Sequence, residues 1–261
     1  MGMAPDSIMT SSEVQTLARR QLHDYDARKP GMAFAEPSFH LSLDDAYRVQ
    51  IETARLRVLR GDTVAGYKIG CVSAAVRRQL GAEHAVFGHL FATEIRASPA
   101  RLECGEFCCL AIEGELALIL DDDVDDMDGL REDPMRFVRS VFPVIELHHY
   151  VFRGPSPSAV EIVANNALQA GIVMPADRKP AETAEPLELT VKISGRVDET
   201  AEVNALDTVH ELAARLGAFG IQPREGEILL TGSPLPLYRV GQGDRVRVEC
   251  SGVPVVEAAV V

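Results

Sequence analysis

The segment from Ala111 to Leu120 is apolar except for two glutamates, Glu113 and Glu115. Its composition predicts a buried β-strand, in which successive side chains alternate between two faces. The two glutamates therefore share one face at a separation of roughly 6.6 Å, and the other residues of that face are alanine and isoleucine. Two carboxylates so close together and removed from water do not both stay ionised unless a cation neutralises them. The strand therefore predicts a cation beside this pair.

A second apolar run, from Val141 to Leu147, carries a third acid, Glu146. Carboxylate oxygens favour Mg²⁺, Mn²⁺ or Ca²⁺ over metals that prefer soft ligands. Three acids in two buried strands therefore predict an oxygen-rich site for a divalent metal. The alternative is an edge strand whose glutamates face water, and the apolar residues beside Glu113 and Glu115 disfavour it.

Lys68 lies in a third predicted strand, Val64–Gly70, and shares a face with Gly66 and Gly70. Glycine weakens strands, so a simple surface strand has little reason to place it on both sides of a lysine. The arrangement leaves room for a ligand beside the ammonium group. We expect Lys68 to hold a substrate carboxylate or to donate or accept a proton; an ordinary surface lysine is the alternative.

Several motifs taken together resemble the group of 2-keto-4-pentenoate hydratases and 2-oxohex-3-enedioate decarboxylases within the fumarylacetoacetate hydrolase superfamily. The motifs are Gly66 to Gly70, Gln79 to Gly81, Phe87 to Phe91 and Gly226 to Ser233. The resemblance extends over nearly the whole chain from about Leu41. It implies an α+β, mostly β fold, a mixed β-roll or sandwich of the fumarylacetoacetate hydrolase type. We expect an N-terminal helical segment over residues 1–62 and a metal-binding, β-rich catalytic domain over residues 63–261.

The same resemblance implies a set of site residues. Glu113, Glu115 and Glu146 match the metal-binding carboxylates of the family, with Mg²⁺ or Mn²⁺ as the ion. Lys68 and His89 are the expected catalytic residues, and the expected substrate contacts are Ser73, Asn166 and Ser233.

Ser233 and His89 each have an alternative role, and the role of a further histidine, His148, is also open. The Ser233 hydroxyl can instead cap a turn, and His89 can be structural or exposed. By alternation His148 shares a strand face with Glu146, where it can support the metal ligands, or it faces solvent at the end of the strand.

The implied reaction is the addition of water to 2-hydroxypenta-2,4-dienoate-type substrates, which gives 4-hydroxy-2-oxo acids. Two departures from the family pattern bear on it: Val86 stands where many of these hydratases have aspartate, and Asn165 precedes Asn166 where they have an Asp-Asn pair. The loss of two acid/base candidates makes decarboxylation of 2-oxohex-3-enedioate the next alternative. An acylpyruvate-type C–C hydrolase and a non-catalytic subunit of a complex also stay open.

The composition of the chain disfavours some classes of partner and some cellular locations. The 261 residues carry 26 basic and 39 acidic side chains, a net charge of −13, which disfavours nucleic acid. We expect neither a signal peptide nor a membrane span, because Met1 to Thr10 lacks a basic and then apolar stretch and no apolar run reaches about 18 residues. A cytoplasmic enzyme with reduced cysteines follows. The resemblance adds a homo-oligomer, or a complex with a related hydratase or decarboxylase, acting on small 2-oxo acids of aromatic catabolism.

The local pattern predicts where helices and loops lie. Ser11 or Ser12 caps a helix through about Tyr25, and Ser42 caps a second that ends near Gly61. Further helices are expected over Ser73 to Leu80 and from about Asp207 to Leu216. The loops are expected at residues 30–38 and 175–186, and the acidic residues 121–129 predict a solvated turn.

Overall fold

The structure, a computed structural model, describes residues 8–34, 41–151, 158–176 and 185–261. The described helices are α1 (Ser11–Asp26), α2 (Leu43–Leu59), α3 (Ala74–Leu80), α4 (Met127–Glu132), α5 (Ala159–Ala164) and α6 (Val209–Gly217). The described strands are β1 (Val64–Gly70), β2 (Val86–Phe91), β3 (Ile95–Ala97), β4 (Ala100–Leu102), β5 (Leu110–Leu120), β6 (Val138–His149), β7 (Gln169–Met174), β8 (Leu187–Ile193), β9 (Val197–Val203), β10 (Ile228–Leu230), β11 (Tyr238–Arg239), β12 (Arg245–Cys250) and β13 (Val256–Val260).

The strands of the described residues form two sheets. The larger has the order β2-β1-β10-β5-β6-β7-β3, with β11 also paired to β5, and the smaller has the order β4-β13-β12-β8-β9. β5 and β6 are long antiparallel neighbours, and their register sets Glu113 directly opposite Glu146. β1 runs parallel to β10, which separates it from β5. The topology therefore brings the three acid- or lysine-bearing strands into the centre of one sheet.

The two faces of β5 lie in different surroundings. Ile112 and Leu116 point towards the smaller sheet and pack in one core with Val191 and Val248. On the opposite face the core contains residues of β2, β5, β6, β7 and β10, among them Leu90, Ala117, Phe142, Ile172 and Leu230. Because β2 and β7 lie far apart in the strand order yet share this core, the larger sheet curls into a roll. This confirms the predicted mostly β, roll-like fold, and the glutamates line the inside of the roll.

The N-terminal helices cover one side of this roll. α1 and α2 pack against each other through Val14, Leu17, Ala18 and Val49. α2 also reaches the sheet, where the Tyr47 ring stacks on Phe87 with centroids 4.7 Å apart. The helices therefore share a core with the β-rich part. An N-terminal helical segment is confirmed, whereas the domain boundary at residue 62 stays a prediction.

The helix predictions are confirmed in position, with differences at two N-termini. Thr10, rather than Ser11 or Ser12, caps α1, because its hydroxyl accepts from the Glu13 backbone N–H and Glu13 bonds back to it in a capping box. Ser42 caps α2 as expected, and Ser73, where the third helix was expected to begin, is the N-cap of α3. The last predicted helix, α6, begins at Val209, two positions later than expected.

The loop predictions are tested in part. Residues 35–38 of the first loop and 177–184 of the second lie outside the described residues. The acidic turn is wrong beyond Asp126, because that side chain accepts a hydrogen bond from the Gly129 N–H and so starts α4. Earlier in the stretch Asp121 and Asp123 form exposed ion pairs with Arg139 and Arg224. None of the described helices is long and apolar enough to cross a membrane.

Gly114, between the two glutamates of β5, permits the close approach of the two sheets. A Cβ at this position would lie 2.2 Å from the Val191 Cγ2 atom of β8. We expect Gly114→Ala to lower the free energy of unfolding by about 1–3 kcal/mol, the usual cost of overpacking. Urea denaturation measures this loss in the free energy of unfolding. In the control Gly241→Ala the new Cβ meets no atom within 4 Å, and an equal loss in both variants would contradict this packing.

Candidate metal centre and substrate cavity

Glu113, Glu146 and His148 form a compact cluster on the inside of the roll, in which Glu146 and His148 are buried and Glu113 is partly exposed. Their potential ligand atoms all lie within 4.8 Å of one another. The His148 Nε2 atom lies 3.1 Å from Glu113 Oε2 and 3.2 Å from Glu146 Oε2. His148 is buried, so a solvent-facing position is wrong, and strand alternation correctly placed it beside Glu146.

Glu115 lies beside this cluster in a fully buried position. One of its carboxylate oxygens accepts a hydrogen bond from the Gly232 backbone N–H, and the other has no hydrogen-bond donor among the described residues. Burial and the neighbouring Glu146 carboxylate raise the pKa of Glu115 well above its usual range. Gly232 adopts a φ of +87°, and a Cβ there would lie 2.9 Å from Val72 Cγ1, so the turn that holds Glu115 requires glycine.

Lys68 is a buried basic residue of the site. Its Nζ atom lies 3.1 Å from Glu146 Oε1, and both side chains are almost completely buried. Burial by itself would lower the pKa of Lys68, but Glu146, Glu113 and Glu115 outweigh it and raise the pKa. Burial likewise opposes the charge on His148, whose pKa the carboxylates of Glu146 and Glu113 raise to about 9.

The donor set fits a divalent metal ion. Glu146 has no hydrogen-bond donor of good geometry for either oxygen among the described residues, although both oxygens lie within ion-pair distance of Lys68 or His148. Such buried, under-coordinated carboxylate oxygens are costly unless a cation binds them. A possible acidic metal site is therefore present, and the assignment of Glu113, Glu115 and Glu146 as its ligands stays a prediction.

A cavity of about 250 Å³ opens next to this cluster. Lys68, Glu113 and His148 line its polar end. The rest of the wall is mainly apolar and comes from α3, β2, α5, the turn after α5 and the residue before β11: Val76, Leu80, Val86, Ile162, Ala167, Leu168 and Leu237, with Gln79 of α3 as a polar exception. Among the described lining residues, the cationic side chains are therefore Lys68 and His148, and both already contact carboxylates.

The structure does not bring His89 to this cavity. In the register of β1 and β2, Lys68 lies opposite Gly88, whereas His89 lies opposite Tyr67 on the other face of the sheet. Its ring contacts Tyr67 at 5.4 Å between centroids, and burial lowers its pKa to about 4. The predicted catalytic role of His89 therefore conflicts with strand alternation: one residue of register separates it from the Lys68 face.

Asn166 holds the cavity wall rather than lining the cavity. Its side-chain amide donates to the His89 carbonyl at 2.9 Å, and its Oδ1 atom accepts from the His89 N–H at 2.7 Å. Asn166, Ala167 and Leu168 have φ values of +55°, +50° and +66°, a left-handed conformation that is costly for residues other than glycine and asparagine. The two hydrogen bonds tie this strained turn to β2.

The two predicted serine contacts have structural partners. Ser73 accepts from the Val76 N–H as the N-cap of α3. The Ser233 hydroxyl lies 2.9 Å from the carbonyl oxygens of Gly114 and Leu235 and accepts from the Leu235 N–H. These bonds are those of the turn-capping alternative, and substrate contact by either serine stays a prediction.

Val86 and Asn165, the two positions that depart from the family pattern, lie in different parts of the structure. Val86 lines the apolar part of the cavity. Asn165 instead accepts from Gln21 Nε2 at 2.8 Å and donates to the Glu161 carbonyl at 2.8 Å, so it connects α1 to α5. Only the change at Val86 therefore alters the chemistry of the cavity wall.

Sequence reasoning missed most of the apolar wall. Ala167 and Leu168 carry no local signal for a ligand site, because tertiary contacts to β2 bring them there. The one available signal is the Asn165-Asn166 pair, since asparagine tolerates the left-handed conformation and marks turns.

Several curated proteins and solved structures are similar to this chain. The 2-hydroxyhexa-2,4-dienoate hydratase of Comamonas testosteroni is 28% identical, over 82% of this chain and 84% of that protein. The 2-keto-4-pentenoate hydratase of Paraburkholderia xenovorans (strain LB400) is 24% identical over 94% of each. The fold is that of the 4-oxalocrotonate decarboxylase from Pseudomonas putida G7, complexed with magnesium and adipate, with a TM-score of 0.87, 22% identity and coverage of 98% and 100%.

The predicted resemblance is therefore confirmed, and with it the expectation of a lyase-type enzyme. The sequence profile of the fumarylacetoacetate (FAA) hydrolase C-terminal family matches residues 80–261, which include all three glutamates of the site. The chain belongs to the fumarylacetoacetate hydrolase family.

Proposed function

We propose that this chain is an Mg²⁺- or Mn²⁺-dependent hydratase that adds water to 2-hydroxypenta-2,4-dienoate-type substrates and gives 4-hydroxy-2-oxo acids. The observation that carries this proposal is the two-ended cavity, with Glu113, His148 and Lys68 at one end and a mainly apolar wall at the other. A substrate with one carboxylate and an apolar tail fits both ends. The names of the most similar relatives support the same reaction class.

Glu113, Glu115 and Glu146 would hold the metal ion in this proposal. Bound there, a divalent ion supplies Lewis acidity to a substrate that offers a carboxylate next to a 2-hydroxy or 2-oxo group. The chain's own contribution is to hold these carboxylates together in a buried place. Gly232 fixes the orientation of Glu115 through its backbone N–H, and the strand register fixes Glu113 against Glu146.

Lys68 would bind the substrate's charged end. Its ammonium group has three donor hydrogens, and its contact with Glu146 engages one side of the group. The remaining capacity suits a substrate carboxylate or the C2 oxygen. Because the reaction moves protons between the C2 hydroxyl and carbon atoms of the chain, Lys68 Nζ, whose pKa is raised, would also donate one.

The apolar wall would hold the diene and limit the entry of water. Hydration at C4 requires one oriented water molecule, and an apolar surround excludes others. The Glu113 side chain is about one-fifth exposed at the cavity, unlike the fully buried Glu115. Glu113 is therefore the carboxylate that can contact both the ion and a water molecule.

Decarboxylation of 2-oxohex-3-enedioate is the second candidate. The observation that favours it is Val86, where a hydratase-like aspartate would supply an acid/base group to the cavity. The apolar wall argues against it, since a second substrate carboxylate would meet no unpaired cation among the described lining residues. The predicted homo-oligomer and cytoplasmic location also stay proposals.

A steady-state assay distinguishes the two candidates. With Mg²⁺ or Mn²⁺, we expect consumption of 2-hydroxypenta-2,4-dienoate without CO₂ release, abolished by a chelator and restored by the ion. On 2-oxohex-3-enedioate we expect at least about tenfold lower kcat/KM, equivalent to about 1.4 kcal/mol, because its distal carboxylate meets the apolar wall. Rapid CO₂ release from the dicarboxylate would instead establish the decarboxylase.

Replacing Lys68 tests whether its ammonium group compensates the negative charge of the buried carboxylates. We expect Lys68→Met, measured by urea denaturation in chelator, to lose about 3–5 kcal/mol, because it leaves buried carboxylates without their cation. Added Mn²⁺ should restore part of the loss. The control Lys192→Met removes a half-exposed ion pair with Glu249 and should cost about 0–1 kcal/mol. A Lys68→Met variant as stable as the control would contradict the role.

A further inference from the structure

We propose that His148 is a direct ligand of the divalent ion, through Nε2, and that it shifts the ion preference of this site from Mg²⁺ towards first-row transition metals. The inference rests on the metal site of the proposed function, not on the identity of the substrate. It adds a nitrogen donor to a site otherwise composed of carboxylates.

The position of the imidazole is the first argument. Nε2 lies between Glu113 Oε2 and Glu146 Oε2, at 3.1 and 3.2 Å. The ligand atoms of all three residues fit within 4.8 Å, a span that a single ion can bridge. Strand β6 fixes this geometry, because Glu146 and His148 are two residues apart and share one face.

The hydrogen bonding of His148 is the second argument. The side chain is buried, yet neither ring nitrogen has a hydrogen-bond partner of good geometry among the described residues. A buried ring nitrogen whose hydrogen-bond geometry is poor is costly. Coordination of an ion by Nε2 would satisfy one nitrogen and would remove the need for a proton between the two carboxylates.

The space around the ring is the third argument. The residue opposite His148 on β5 is Ala111, whose small side chain leaves the ring free to face the carboxylates. His148 also lines the substrate cavity. The ligand would thus face the same cavity as Glu113, where the substrate approaches the ion.

The chemical consequence concerns selectivity. Carboxylate and water oxygens suit Mg²⁺ and Mn²⁺, whereas imidazole nitrogen suits later first-row ions such as Fe²⁺, Ni²⁺ and Zn²⁺. For mixed nitrogen and oxygen donors, affinity rises from Mn²⁺ through Co²⁺ to Ni²⁺. We therefore expect the site to bind Co²⁺ more tightly than Mn²⁺, and Mn²⁺ more tightly than Mg²⁺.

A competing role for His148 makes the opposite prediction. As a protonated imidazolium, it would neutralise Glu113 and Glu146 and occupy the place of the ion. Removing the ring would then increase the affinity for every divalent ion, whereas removing a ligand decreases it, most of all for Co²⁺.

The test measures metal binding directly on the full chain, stripped with chelator. Calorimetric titration with Co²⁺, Mn²⁺ and Mg²⁺ compares the wild type with His148→Gln. We expect Co²⁺ affinity to fall roughly 10- to 100-fold, the range caused by losing even an indirect partner of a metal ligand, and Mg²⁺ affinity to fall less. Electron spin-echo measurements on bound Mn²⁺ should show ¹⁴N coupling in the wild type and none in the variant.

Two controls keep the result interpretable. The double variant His84→Gln/His210→Gln removes exposed histidines and should leave both readouts unchanged. If His148→Gln does not fold, wild-type chain labelled with ¹⁵N-histidine should replace the ¹⁴N coupling by a ¹⁵N coupling.

Three results would overturn the inference. Unchanged affinity in His148→Gln, with no ¹⁴N coupling already in the wild type, would show that the ligands are carboxylates alone, and coupling retained in the variant would assign the nitrogen to another residue. Increased affinity would identify His148 as the neutralising cation. Wild type that binds no divalent ion would refute the metal part of the proposed function as well.

Discussion

The buried carboxylates of the roll are the constraint on which the site depends. Glu115 and Glu146 have no exposed surface, and burial of paired like charges is tolerated only with compensating cations. Lys68 supplies part of that charge from β1, and the ring of His148 lies against the same carboxylates. Burial and the neighbouring Glu146 hold the pKa of Glu115 high unless a further cation neutralises the cluster, and this requirement connects the fold to metal-dependent chemistry.

The curled sheet makes such a cluster possible. Antiparallel pairing sets Glu113 opposite Glu146, and β10 places Lys68 two strands away from β5 on the same inner face. The outer face of the same strands packs against the smaller sheet, so the carboxylates cannot turn outwards to water. The cavity then combines a charged floor with an apolar wall, which is the arrangement a 2-oxo acid with an apolar tail requires.

The sequence predicted those features that depend on strand alternation and local capping. Alternation placed Glu113 with Glu115 and His148 with Glu146, because period-two patterns survive in any register. Alternation also explains why His89 lies away from Lys68, since it places these two side chains on opposite faces of the sheet. The wall at Ala167 and Leu168 was beyond sequence reasoning, because tertiary hydrogen bonds hold these residues in a conformation that their own side chains disfavour.

The most direct test of this account is the location of the ion itself. Crystals grown with Mn²⁺ should show one strong anomalous difference peak among the carboxylates of Glu113, Glu115 and Glu146, with Lys68 beside it. A peak elsewhere, or none with Lys68 and His148 still paired to the carboxylates, would contradict the claim that this buried cluster is built to bind a divalent cation.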